Sequence, residues 1–271
     1  MMKDYFSDDK RMLEYSLNKL YSDIFCFSTT RTGGYSEGQY ASFNCNWYCG
    51  DSMQNVQKNQ QKLVELLPAD SVELVIPHQV HTDVIYSIDD DYMQKTAAEK
   101  RQLLEGVDAL VSSCRGICLC ISTADCIPVL CYDPHHHAIA AIHAGWRGTV
   151  AHVVQHTIGR MTELYGTRPQ DVKAIIGPGI SQEAFEVGDE VYHSFSNAGF
   201  DMSRIAIRYE KWHIDLWEAN RMELIQSGLR NENIHVSGIC TYGRHDEFFS
   251  ARRLGIKSGR ILSGIMLMPL R

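Results

Sequence analysis

The sequence has no apolar run approaching the length of a membrane span. Its opening residues, MMKDYFSDDKRMLEY, hold no apolar stretch of the kind a secretory signal needs. These two absences predict a soluble, cytoplasmic protein with no membrane partner. Basic residues are not in excess either. The formal net charge is −7 over 271 residues, which argues against a nucleic-acid partner, because such surfaces carry a basic stripe. A small basic patch inside a cleft is still compatible with that balance, since net charge does not describe local fields. Internal repeats, low-complexity stretches and linker-like segments are missing. An even set of cysteines is missing too, the count being 9. In a cytoplasmic chain of this size that reads as buried thiols, not a disulfide framework.

What is present is a chain that is 44% hydrophobic, enough for a full core. Short apolar or β-branched runs predict strands over residues 24–28, 72–76, 109–111, 116–122, 128–132, 138–142, 172–176, 205–208, 235–240 and 264–268. Residues 149–165 give the clearest helix: Val150, Val153, Val154, Thr157, Ile158, Met161 and Leu164 share one face at 3.6 spacing. Gly166 is placed to end it. Further helices are expected over residues 55–67, before Pro68, and 188–195. Another runs to Gln226 from an Asp215 cap. Residues 89–105 read as a surface excursion or a short helix. Strands and helices alternate without a regular βαβ period, which predicts a mixed α+β fold in one domain. Residues 1–23 are expected to form a short helical or irregular lead-in and 24–271 the single domain.

The densest chemistry lies at residues 122–149, STADCIPVLCYDPHHHAIAAIHAGWRGT. Cys126 stands just ahead of one predicted strand and His143 at the end of another. A histidine from PHQVH, His78 or His81, would complete a three-ligand set. Three apart, the two would face opposite ways on a continuing strand, so only one is expected to serve. His81, Cys126 and His143 are far apart in sequence, unlike the close ligand pairs of a structural zinc finger. Catalytic zinc takes three protein ligands from separate elements and keeps a fourth position open. The same donors also suit copper. A metal-free alternative makes Cys126 a nucleophile with His143 as its base and Asp125 as the orienting group.

Next to His143, AGWRGT turns from a strand into a helix. Helix N-termini bind anions, and Arg147 adds a planar fork suited to phosphate. The turn TTRTGG, with Arg31, has exposed backbone N–H groups that could cradle an anion, though on its own such a Gly-Gly stretch reads first as an ordinary tight turn. Asn44 reads as a buried orienting amide or a loop cap. The tract His135-His136-His137 is expected at a solvent-exposed turn, where such tracts bind metal adventitiously.

Together TTRTGG, SFN, PHQVH, STADCIPVLCYDP, AAIHAGWRGT, IGPGIS with FEVGDEV, and CTY with FFSARR resemble the YfiH-like laccase-domain family. Its members are also called multicopper polyphenol oxidases or purine nucleoside phosphorylases. The motifs occur in family order over about residues 24–268. The resemblance implies a single-domain α+β fold, a mixed-sheet sandwich with flanking helices, and a zinc site made by His81, Cys126 and His143. It implies phosphorolysis of adenosine, guanosine, inosine and methylthioadenosine, with adenosine deamination. Its substrate partners would be purine nucleoside and phosphate, in a monomer or small homo-oligomer. The older family name implies copper-dependent phenol oxidation. Cys126, His143 and Arg147 are the expected catalytic residues. Arg31, Asn44, Arg147 and Arg252 are expected to bind substrate or phosphate. One departure stands out: many members carry an arginine after the early helical asparagine, where this chain has Asn59-Gln60. Phosphate then has to rely on Arg31, Arg147 or the Arg252-Arg253 pair.

Overall fold

A computed structural model describes residues 4–69 and 71–269. Its strands, numbered along the chain, are β1 Tyr5–Phe6, β2 Met12–Glu14, β3 Ile24–Thr29, β4 Glu73–Val75, β5 Ile85–Ile88, β6 Ala109–Ser112, β7 Ile117–Thr123, β8 Ile127–Asp133, β9 Ala138–Ala144, β10 Lys173–Ile176, β11 Glu186–Val187, β12 Ala206–Arg208, β13 Trp212–Ile214, β14 Ile234–Val236 and β15 Ile261–Leu267. One six-stranded sheet has the order β1-β2-β3-β15-β7-β4 and a second the order β14-β10-β8-β9-β6-β5. A small third sheet runs β11-β13-β12. Pairings are antiparallel except β4–β7, β5–β6 and β10–β14.

The two large sheets face each other. Ile117, Leu119 and Ile121 of β7 share one core with Leu130 and Tyr132 of β8 and Ile139 and Ala141 of β9. Alternate side chains point the other way. Cys118 and Cys120 pack with Phe27 and with Leu63 of the helix Met53–Leu66. Val129, Ala140 and Ile142 pack with Val154 and Ile158 of the helix Val153–Tyr165. The layers therefore run helix, sheet, sheet, helix, the mixed α+β sandwich expected. Every residue of β7, β8 and β9 is buried. Strands covered on both faces read as continuous apolar runs, which is how they stand in the sequence.

Several local expectations need correction. Residues 5–6 and 12–14 are strands at the edge of the first sheet, with β2 paired to β3; among the described residues of the lead-in only Leu17–Leu20 is helical. The long helix breaks into Trp146–Val150 and Val153–Tyr165, with His152 left-handed at φ 59°. Both pieces pack on the same side, so apolar spacing runs on across the break. What holds His152 there is a 2.8 Å bond from its Nδ1 to Glu223, a side chain with no exposed surface. β14 stops at Val236, and the chain bends so that Cys240 bridges to Gly179. The last strand starts at Ile261, earlier than expected, and the short strands β5 and β13 were not anticipated.

The β7–β8 turn, the end of β9 and the loop after β4 meet at one end of the sandwich. Antiparallel pairing of Ile127 with Ala144, and Pro128 with His143, sets His143 beside the turn that carries Cys126.

Candidate metal centre

Cys126 follows a residue in an unusual conformation. Asp125 is left-handed at φ 89°, which a non-glycine residue adopts only when its surroundings hold it. Its carboxylate accepts the Thr241 hydroxyl at 2.8 Å and the Arg252 backbone N–H at 2.6 Å, and its carbonyl accepts Ile180 N–H at 2.8 Å. Those bonds aim the Cys126 side chain back toward β9.

The third group comes from the loop after β4. His81 is also left-handed, at φ 66°. The loop is stapled to β7 by Gln79, whose amide donates to Ser122 O at 2.9 Å and accepts Ser122 N–H at 2.8 Å. Since the backbone is not extended here, His78 and His81 both face the same pocket, against the opposite-face expectation. His78 stacks on Tyr48 at 4.3 Å and bonds Glu105 at 2.6 Å. Only His81 joins the ligand set: one donor atom each from His81, Cys126 and His143 lie within 4.8 Å of one another.

Asp108, fully buried, organises the histidines. Its carboxylate accepts the backbone N–H groups of Val80 (3.2 Å), His81 (3.0 Å) and Thr82 (2.7 Å) and the Thr82 hydroxyl (2.8 Å). It lies 2.6 Å from His143 Nδ1, so the other ring nitrogen is the one free to bind a metal. Burial opposes ionisation of Asp108, but His143 and the donors around it hold its carboxyl down at about 2. Burial likewise opposes the Cys126 thiolate. The charge of His143 and hydrogen bonds from His143 and His81 outweigh it and pull the thiol down to about 6. His143 is itself raised to about 9, against burial, by the Cys126 thiolate and Asp108.

This donor set fits a metal. A thiolate and two imidazoles converge from three elements, and one histidine is backed by a carboxylate, as metal-binding histidines are. Space is kept by Gly145, where a Cβ would meet Cys126 Sγ at 2.9 Å and His81 Cδ2 at 3.0 Å. The group that orients His143 is Asp108, not Asp125 as the metal-free alternative supposed.

Above the three ligands lies a cavity of about 290 Å³. Among the described residues no carboxylate lines it, and one arginine, Arg260, does. Arg260 is steered there by Asn44, fully buried, whose Oδ1 accepts the Arg260 backbone N–H at 3.1 Å and whose amide donates to Asp51 at 2.8 Å. Ser122 and Thr123 also line the cavity, and their buried hydroxyls have no protein partner.

The other expected phosphate residues sit elsewhere. Arg31 donates twice to Ala41 O and once to His245 O, and lies outside the cavity wall. Arg147 is exposed, its guanidinium 4.2 Å from the Trp146 ring. Arg252 lines a neighbouring cavity, and Gln60 donates to Cys45 O at 2.7 Å. His135, His136 and His137 each reach a different carboxylate: Asp171 at 3.9 Å, Asp133 at 2.8 Å and Asp23 at 2.9 Å. Asp108, Gln79 and Arg260 were missed by sequence reasoning. None belongs to a spacing pattern; only the Gln within PHQVH stood next to residues already singled out.

The family profile described as multi-copper polyphenol oxidoreductase laccase matches residues 25–268. The chain belongs to that family. A purine nucleoside phosphorylase of Bacteroides thetaiotaomicron is 56% identical over 262 residues, covering 96% of this chain and 97% of the relative. "Adenosine deaminase RL5", from an unknown prokaryotic organism, is 38% identical, covering 91% and 95%. The crystal structure of YlmD from Geobacillus stearothermophilus superposes with a TM-score of 0.88 at 29% identity, covering 98% of this chain and 100% of that one. The family is one of enzymes, and the three-ligand pocket is the place in this chain equipped for chemistry.

Proposed function

We propose that this chain is a zinc-dependent purine nucleoside phosphorylase acting on adenosine, guanosine, inosine and methylthioadenosine, with adenosine deaminase activity. The observation that carries this reading is the meeting of His81, Cys126 and His143 at a cavity that is lined, among the described residues, by an arginine and by no carboxylate. The names of the relatives point the same way.

In this reading His81, Cys126 and His143 hold the metal. Zinc, when bound, supplies a Lewis acid that needs no redox change. Asp108 keeps the Nδ1 proton of His143 in place and fixes the pitch of the His81 loop. Arg260, the one arginine of the pocket lining among the described residues, takes the phosphate with the guanidinium N–H groups left over from its bonds to Ile256 O, Ser258 O and Gly259 O. In this reading it takes the place of Arg31, Arg147 and Arg252 as the phosphate residue, and Asn44 acts on phosphate through Arg260. A phosphate oxygen attacks sugar C1′, the C1′–N9 bond breaks, and the purine leaves with the bonding electron pair and takes up a proton. The copper phenol-oxidase reading is the weaker one. It needs several copper ions on many histidines, and the histidine tract spends its rings on separate carboxylates.

No described helix is long and apolar enough to cross a membrane. A cytoplasmic location is part of the proposal, supported by nine free cysteines. So is action as a monomer or small homo-oligomer. The test is product analysis with adenosine. Adenine and ribose 1-phosphate are expected only when phosphate is supplied. Inosine alone, formed without any need for phosphate, would leave a deaminase; neither product would remove purine nucleosides as substrates.

A further inference from the structure

A second cavity lies beside the metal pocket. Ala251 and Ile256 line both, and the second cavity has a volume of about 310 Å³. At about 290 Å³ the metal pocket alone is at the low end of ligand-site sizes, so a nucleoside with phosphate needs more room.

The two cavities differ in chemistry. The metal pocket holds Arg260 and, among the described residues, no carboxylate. The second is walled by Ile180, Phe185 and Ile256, with Asp125 and Arg252. Both Asp125 oxygens already accept hydrogen bonds, from the Thr241 hydroxyl and the Arg252 backbone N–H, and its charge disfavours an anion there. The Arg252 side chain is tethered by a 3.0 Å bond from Nη1 to Glu186 O, with its guanidinium 5.5 Å from the Phe185 ring. A planar cation held beside an aromatic ring is a surface on which a flat heterocycle stacks. Ile256 is 79% exposed, more than any other large hydrophobic side chain among the described residues. A single exposed apolar residue is ordinary. This one lines both cavities, and a ligand reaching from one to the other would cover it.

We infer that the second cavity is the purine-base subsite. The nucleoside lies with phosphate at Arg260, sugar beside Ile256, and base against Phe185 and Arg252. This rests on the phosphorylase reading for the phosphate end, while the base subsite stands on its own residues.

Calorimetric titration of the metal-loaded protein with adenine alone separates the two. Wild type is expected to bind adenine. Ile256→Ser and Arg252→Ala should each weaken that binding about tenfold, the effect of uncovering most of one side-chain contact. Both variants should keep their metal content, which also reports an intact fold, and should bind inorganic phosphate as wild type does. Three outcomes overturn the inference: no adenine binding by wild type, unchanged adenine binding in both variants, or a loss of phosphate binding in Arg252→Ala with adenine binding kept. Adenine binding that behaves as expected, in a protein that releases no adenine from adenosine, would support the subsite and defeat the phosphorylase reading.

Discussion

Asp108 is one carboxylate with five donors around it, and those donors belong to two of the three ligand-bearing elements. Replacing it with asparagine keeps the size but turns one acceptor into a donor facing donors. Metal affinity is expected to fall roughly 10–100-fold, the usual cost of losing such a supporting carboxylate. Competition against a chelating dye measures this, and an unchanged affinity would show that the histidines hold their own geometry. Cys126 gives a second prediction at this scale. A cation beside a thiol favours its charged form, so in metal-free protein the thiolate persists as pH falls until about 6. Its ultraviolet absorbance should titrate there, apart from buried thiols such as Cys131, which burial pushes up to about 12. In His143→Ala the cation is gone and the midpoint should rise toward or above an ordinary cysteine's ~8.5. A midpoint unmoved by that substitution would mean that His143 does not set the thiolate. Protons and metal compete for the same sulfur, so metal should be released as pH drops through the same range.

At the scale of elements, the break at His152 shows what spacing cannot reveal. Residues 149–165 keep a helical apolar face, yet the chain turns left-handed at His152 to reach Glu223, whose Oε2 has no partner and whose Oε1 also accepts Gln155 at 2.8 Å. His152→Ala should cost about 1–3 kcal/mol through the buried carboxylate left less satisfied. His152→Gly loses the same bond but relieves the backbone, and should lie above the alanine variant by about 1 kcal/mol. Urea unfolding of the two gives the difference directly; equal midpoints would remove backbone strain from the account. The same reasoning explains the site. Cys126 and His143 are legible because one stands just ahead of β8 and the other near the end of β9, strands whose faces are both buried, so their apolar runs stand out. His81 is legible as a residue type, but its placement depends on a positive φ and on Gln79, which no periodicity reports. Asp108 is a single acidic residue before β6, and Arg260 reaches the pocket through Asn44, 216 positions away in sequence. Long-range bonds of that kind leave no local trace.

For the whole molecule, two sheets stacked face to face leave their strand ends as the place where loops from distant segments can meet. That architecture was legible in class, α+β with many strands. Its layering was not, because continuous apolar runs mark burial on both faces without saying what covers each. Short strands such as β5 at a sheet edge and β13 in the small sheet carry too few residues for a pattern. The layering matters for function: the three candidate ligands come from the loop after β4, the β7–β8 turn and β9, so a metal bound there would tie both sheets together at one end. The central claim is a single three-ligand metal site on which activity depends. Its most direct test is to strip the metal and restore zinc in steps while following phosphate-dependent release of adenine from adenosine. Activity should rise in proportion to zinc and level off at about one ion per chain, the stoichiometry of a catalytic site with three protein ligands. Full activity in the stripped protein, or a rise that continues to several ions per chain, would contradict it.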